Sequence, residues 1–232
     1  AEDYKPYLKS TWATTAPKTI QLGEQLAFWN KKLEHQPTSG LYKLKVAGLL
    51  AQRFKLKGNV ADIEQSDFLL KDALVNPLLK KAGCYHALSG NAIAQHQFKA
   101  ALAYADAALK TQEAPETSQL LRFDALMELG NVAEANEILE QSANKKTFDY
   151  WVRKSKLQDA QGDLTAAIMT LVQTKDWITA SKNKDAYCWV MSNLGDMYGH
   201  AGEIEKSYEH YLKVLEVDPS YSHVLKGIAW IA

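Results

Sequence analysis

The chain has 232 residues, 47% of them hydrophobic, which is enough apolar material for a substantial core and excludes a disordered chain. Lysine plus arginine and aspartate plus glutamate both number 27, so the chain as a whole carries no electrostatic footprint for nucleic acid or an anionic membrane surface. No apolar run reaches the length of a membrane span, no signal-peptide pattern is present, and Cys84 and Cys188 lack metal-type spacing and read as packed thiols.

Taken in order, the chain reads as all helix. Residues 1–37 form an irregular opening hairpin: a short first helix over Tyr4 to Ala13 with Trp12 turned inward, then a second helix started by Thr14-Thr15-Ala16-Pro17. In that second helix Leu22, Leu26, Trp29 and Leu33 recur at four, three and four residues, and Pro37 ends it. Residues 39–77 are a second hairpin, with Leu50-Ala51-x-x-Phe54 on its first helix, Gly58-Asn59 as the turn and Asn76-Pro77 as the end. Its turn-to-proline distance is 19 residues, two more than in the last full hairpin. That surplus predicts a longer second helix, irregularly packed over Ile63 to Leu70.

The third hairpin, 82–115, combines Tyr85-x-x-Leu88-Ser89 with an alanine-rich second helix from Phe98 to Leu109, and its turn carries His96 in place of glycine. The fourth, 116–147, has Leu126, Gly130-Asn131, Ala135 and Leu139, with Phe123 where a small residue is expected, a bulk that should force the helices apart locally. The fifth, 148–181, is marked by Trp151-x-x-x-Ser155, Gly162-Asp163, Ala167-Ile168 and Leu171. Turns at His96, Gly130, Gly162 and Gly202 are 34, 32 and 40 residues apart, and the surplus before the last reads as a lengthened helix end plus a loop over Asp176 to Asp185.

The sixth hairpin, 185–221, is the most explicit. Met191-x-x-Leu194-Gly195-x-x-Tyr198 precedes Gly202, then Ser207-x-x-x-Tyr211, then Asp218-Pro219. Leu194, Gly195 and Tyr198 share one helix face, and Ile204, Ser207, Tyr211 and Leu215 share another. A small residue on each side lets two helices approach. This stretch resembles a tetratricopeptide repeat, with Met191, Ser207 and Tyr211 standing where that family usually has Trp, Ala and Phe. The turn spacings scatter around the 34-residue unit of that class. The resemblance implies an all-α, right-handed α-solenoid of about six hairpins plus a final half-repeat, with 1–232 as a single repeat domain. Residues 222–232 are that half-repeat, with Leu225, Ile228, Ala229 and Ala232 inward; an apolar end of this kind implies a cap or a chain that continues beyond Ala232.

In this family the first helices line a concave face. Counting back from each turn selects Trp189, Ser192, Asp196, Gly199 and His200 on the sixth hairpin. The same count selects Lys156 and Asp159 with Asp149, Val152 and Ala160 on the fifth, and Asp124, Met127 and Glu128 with Thr117 and Leu120 on the fourth; the half-repeat adds His223, Lys226 and Trp230. Trp189 and Trp230 are aromatic anchors for a protein or peptide, or else packing residues under a loop and a following helix. Asp196, His200 and His223 could be drawn together as metal ligands, but an Asp–His pair four residues apart is more often a solvated helix pair, and no metal or cofactor is expected.

No phosphate loop, nucleophile elbow or zinc-protease motif occurs, so the expectation is a non-catalytic binding scaffold. Gly48, Gln52, Ala87, Thr117 and Leu121 stand where some members of the family clamp a chaperone's terminal carboxylate, which excludes that role. The rival readings are an accessory domain of a larger enzyme or transporter and a small-ligand or metal-binding repeat protein. The start at Ala1 and a resemblance to secreted bacterial repeat proteins make export to the periplasm or cell surface the expectation, with the cytoplasm as the alternative.

Overall fold

In the computed structural model the described residues are 5–181, 183–221 and 223–231, those at 7–17 and 179–181 by backbone alone. Trp12 and Ala232 therefore lie outside the described side chains. The described residues form helices α1 (Lys5–His35), α2 (Gly40–Lys57), α3 (Val60–Ala73), α4 (Ala82–Ala94), α5 (Phe98–Lys110) and α6 (Pro115–Glu128). They continue as α7 (Val132–Glu140), α8 (Phe148–Ala160), α9 (Leu164–Ser181), α10 (Lys184–His200), α11 (Ile204–Val217) and α12 (His223–Ile231). No strand occurs among them, and the fold is an all-α helical repeat. Helices α2 and α3, α4 and α5, α6 and α7, α8 and α9, and α10 and α11 pack as successive hairpins.

The turns show how the chain reverses at the same point each time. Gly58, Gly130, Gly162 and Gly202 have φ between 69° and 85°, and His96 occupies the equivalent place at 56°. Glycine takes this left-handed conformation without steric cost, whereas His96 does not. One amide past four of these turns caps the preceding helix: Gln97 donates to Ala92 O, Asn131 to Leu126 O, Asp163 to Gln158 O and Glu203 to Tyr198 O, at 2.8–2.9 Å. At the next helix start, Asn59 and Asp163 side chains accept from Ala61 and Ala166 amides.

Inside the hairpins, serine takes the place of a small apolar residue and makes the seam specific. Ser89 Oγ donates to Ala101 O at 3.0 Å, Ser155 Oγ to Ala167 O at 3.1 Å and Ser207 Oγ to Gly195 O at 2.6 Å, each pair 12 residues apart. In the α2–α3 hairpin Ser66 Oγ donates to Ala47 O at 2.9 Å. These serines and their partner residues are buried, so each hydroxyl is satisfied where water cannot reach it. In α6–α7 the equivalent position is Phe123, whose ring is fully buried together with Ala135.

By contacts the chain divides into two compact units, Lys18–Gln141 and Ser142–Ala232 with Ala1–Pro17. In the first, Leu22, Leu26, Val46, Leu50, Leu70 and Leu88 form the centre of the core, with Trp29 and Leu33 packed against it. Between α2 and α3 the Arg53 guanidinium grips Asp62 by both carboxylate oxygens, at 2.8 and 2.6 Å, where Asp62 is buried. In the second unit the core is built from Leu171, Ile178, Met191, Leu194, Leu215 and Ile228 among others. Cys84 and Cys188 are buried in these cores, and burial pushes the Cys84 pKa up.

Three details differ from the sequence reading. The opening stretch is one helix, α1, rather than two: the backbone stays helical through Pro17, although proline removes a donor and its ring crowds the preceding turn. Helix α3 has 14 residues, as α11 does, so the surplus lies in the segment after Ala73. Its buried face, Ile63, Ser66, Leu69, Leu70 and Ala73, is regular. Before the sixth hairpin α9 is the lengthened helix, running on to Ser181, and α10 starts at Lys184, where Asn183 caps the Ala186 amide. Helix α12 is turned from the expected register: Val224 and Ile228 are buried, Leu225 is half-buried and Ala229 is exposed.

Candidate functional site

The turned register of α12 follows from one ring. Tyr211 on α11 lies between two helical glycines: a Cβ added at Gly195 would sit 2.4 Å from its Cε1, and one added at Gly227 would sit 2.4 Å from its Cζ. Any side chain at either position would collide with the ring, so the three helices close around Tyr211 only because both positions are glycine. Gly199 serves a similar end one turn on, where a Cβ would come 3.3 Å from Ser207 Oγ and 3.6 Å from the Trp230 ring.

This packing aims the phenol at a carboxylate. Tyr211 OH donates to Asp196 Oδ1 at 2.6 Å, and His223 Nε2 stands 3.4 Å from Asp196 Oδ2, so one carboxylate links α10, α11 and α12. Burial, then the hydrogen bond to Asp196 and its negative charge, hold the Tyr211 phenol well above its ordinary pKa. The phenol therefore stays a donor at any physiological pH.

Above this link lies an open pocket of about 540 Å³, lined by Asp196, Gly199, His200, Tyr211, His223, Lys226, Gly227 and Trp230. It offers one carboxylate, two imidazoles, one ammonium and an indole that is 69% exposed. The lining thus joins one large apolar surface to several polar side chains. Among the described residues no group of three His, Cys, Asp or Glu side chains is placed to hold a metal ion, so Asp196, His200 and His223 share a pocket without forming a ligand cage.

Of the residues singled out from the sequence, Asp196, His200, His223, Lys226 and Trp230 come together here. Trp189 does not. It is half-buried on α10, stacks edge-on with Phe148 at 5.9 Å and packs against the core. Ser192 is buried and donates to Trp189 O at 2.9 Å. Lys156 and Asp159 lie on α8 of the same unit, exposed and half-buried; Asp124, Met127 and Glu128 lie on α6 of the other unit. The sequence reading missed Tyr211 and Gly227 as pocket residues. A glycine inside an apolar helix was the available signal, since such a residue costs helix stability unless something approaches closely.

Hairpins with glycine turns and a small-residue seam, whose first helices touch the next first helix at α2–α4, α4–α6 and α10–α12, define a helical-repeat scaffold. A tetratricopeptide repeat family model matches residues 190–221, the stretch that holds Gly195, Gly202, Ser207 and Tyr211. No curated protein sequence matches the chain. A chain in the crystal structure of the APC/C hetero-tetramer Cut9-Hcn1 superposes with a TM-score of 0.69 at 15% identity; the likeness covers 93% of this chain and 40% of that one. TTC0263, a thermophilic TPR protein in Thermus thermophilus, gives a TM-score of 0.64 at 15% identity, over 83% of this chain and 97% of its own. BtubC (BKLC) from P. vanneervenii gives 0.55 at 14% identity, over 90% and 92%. At these identities the likeness is one of fold. Residues 190–221 match a tetratricopeptide repeat, and the described chain shares the all-α helical-repeat fold of these structures.

Proposed function

We propose that this chain is a non-catalytic scaffold that binds a peptide or protein segment in the α10–α12 pocket. One observation carries the reading: Trp230 stands 69% exposed beside a fixed Asp196, the imidazoles of His200 and His223 and the Lys226 ammonium. Exposed indoles in a rigid setting provide binding energy, and surrounding charges select among partners. Asp196 is the positioned acceptor, held by Tyr211, and takes a lysine, arginine or backbone amide of the partner. Trp189 and Ser192 support α10 from behind. Lys156 and Asp159 on α8, and Asp124, Met127 and Glu128 on α6, extend binding on the first helices of their own units.

The test is a peptide-display selection against the whole chain, followed by affinity measurements on the enriched peptides. Trp230→Ala is expected to weaken them about tenfold or more, the loss typical of a central aromatic anchor. Trp230 is exposed, so the substitution leaves the fold intact. Enriched peptides that bind the variant as tightly as the wild type would refute the site.

A further inference from the structure

A second site arises from the part of the chain that does not fit the repeat. The interval from Gly162 to Gly202 is the longest between turns, and the surplus is helix: α9 has 18 residues where α5, α7 and α11 have 13, 9 and 14. In the added turns Ile178 is 1% exposed and fixes the extension to the core, while Trp177 beside it is 52% exposed. Counted from Leu164, a helix of α11's 14 residues would end at Trp177, so the extension begins at Ile178 and carries the helix on past the exposed indole.

Trp177 is one wall of an open cleft of about 300 Å³, whose other walls are Trp151, Lys146, Gln173 and Thr174. All five residues lie within Ser142–Ala232. Trp151 is held in place by Tyr150, edge-on at 5.6 Å, and by the Lys154 ammonium 5.1 Å from its ring centroid. The charged groups at the cleft are thus both positive. Among the described residues no carboxylate lines it, and the nearest in sequence, Asp176, pairs with Lys175 at 3.6 Å.

Two indoles facing one cleft favour a flat apolar group, because aromatic rings gain from stacking beyond the area they bury. Lys146 at the rim adds attraction for an anion on that group. The volume admits a single ring-bearing residue and not a folded segment. We propose that this cleft binds an aromatic carboxylate, the ring between Trp151 and Trp177 and the carboxylate against Lys146. Either a free aromatic acid or the aromatic residue at the carboxyl end of a peptide supplies that chemistry. The proposal stands on α8 and α9 and is independent of the α10–α12 pocket.

The test is an NMR titration of the whole chain with N-acetyl-phenylalanine, read at the indole N–H signals of Trp151 and Trp177. Both signals are expected to move together and to saturate. N-acetyl-phenylalanine amide, which lacks the charge, should bind about fourfold more weakly, the range of one exposed ion pair. Lys146→Met should erase that acid-over-amide preference, and Trp177→Ala should weaken the acid about tenfold. Both side chains are exposed, so neither variant threatens folding. A short peptide ending in phenylalanine that binds more tightly than the acetylated residue supports the peptide source, and one that binds less tightly supports the free acid. Equal binding of acid and amide, or indole signals that never move, would overturn the proposal.

Discussion

The α10–α11 and α6–α7 hairpins solve the same packing problem in opposite ways. Seven residues before the turn and nine after it, α10–α11 sets Gly195 against Tyr211, and α6–α7 sets Phe123 with Leu139 at the same register. Phe123, Leu139 and Tyr211 are all buried. One hairpin places its bulk on the second helix against an empty first helix; the other fills both sides with medium and large side chains. The backbone plan survives the exchange, since interior volume is conserved in sum more strictly than residue by residue. Only the glycine-and-tyrosine arrangement lets a third helix, α12, close on the same ring through Gly227 and leave a pocket above it.

If the two hairpins carry their bulk on different helices, removing it should break each in its own place. Phe123→Ala empties the α6 side of its seam and is expected to cost about 4 kcal/mol, measured by denaturant unfolding. Gly195→Ala adds bulk where Tyr211 already sits, and is expected to cost about 3 kcal/mol. In a Tyr211→Leu background the same glycine substitution should cost less than about 1 kcal/mol, because the ring it collides with is gone. A full-size cost in both backgrounds would show that Gly195 matters for another reason.

The link from Tyr211 to Asp196 has a pH signature. Burial and the Asp196 contact raise the phenol's pKa in the folded chain, so this stabilisation is complete below the unfolded value of about 10 and is lost as pH climbs from there. Tyr211→Phe is expected to cost about 1.5 kcal/mol at neutral pH, through the missing hydrogen bond, and to flatten the alkaline decline expected of the wild type. The decline should not vanish, because Tyr187 and Tyr221 are shifted the same way by burial. The smallest effect is at a turn. His96→Gly relieves the positive φ that the other turns assign to glycine and should stabilise the chain by about 1 kcal/mol, read as a higher unfolding midpoint.

The fold class could be read from sequence where small residues and turn glycines fall at fixed intervals, as at Gly195, Gly202, Ser207 and Tyr211. That is the stretch the family model also matches. Elsewhere the same register carries Phe123 or His96, and the pattern fades although the structure does not. Proline at 17 looked like a helix start, but α1 runs through it. Helical counting brought Asp196, His200, His223, Lys226 and Trp230 into view as one set. It left Trp189 between anchor and packing residue, because counting along one helix contains no information about Phe148 on a neighbouring one. It also could not supply the twist of α12, which Tyr211 and Gly227 decide across three helices.

The binding claim is tested most directly by following the backbone amides of the whole chain by NMR while a display-selected peptide is added. The account predicts that the largest shifts fall on Asp196, Gly199, His200, His223 and Gly227, together with the Trp230 indole. Shifts confined to other helices, with these signals unmoved at saturation, would contradict it.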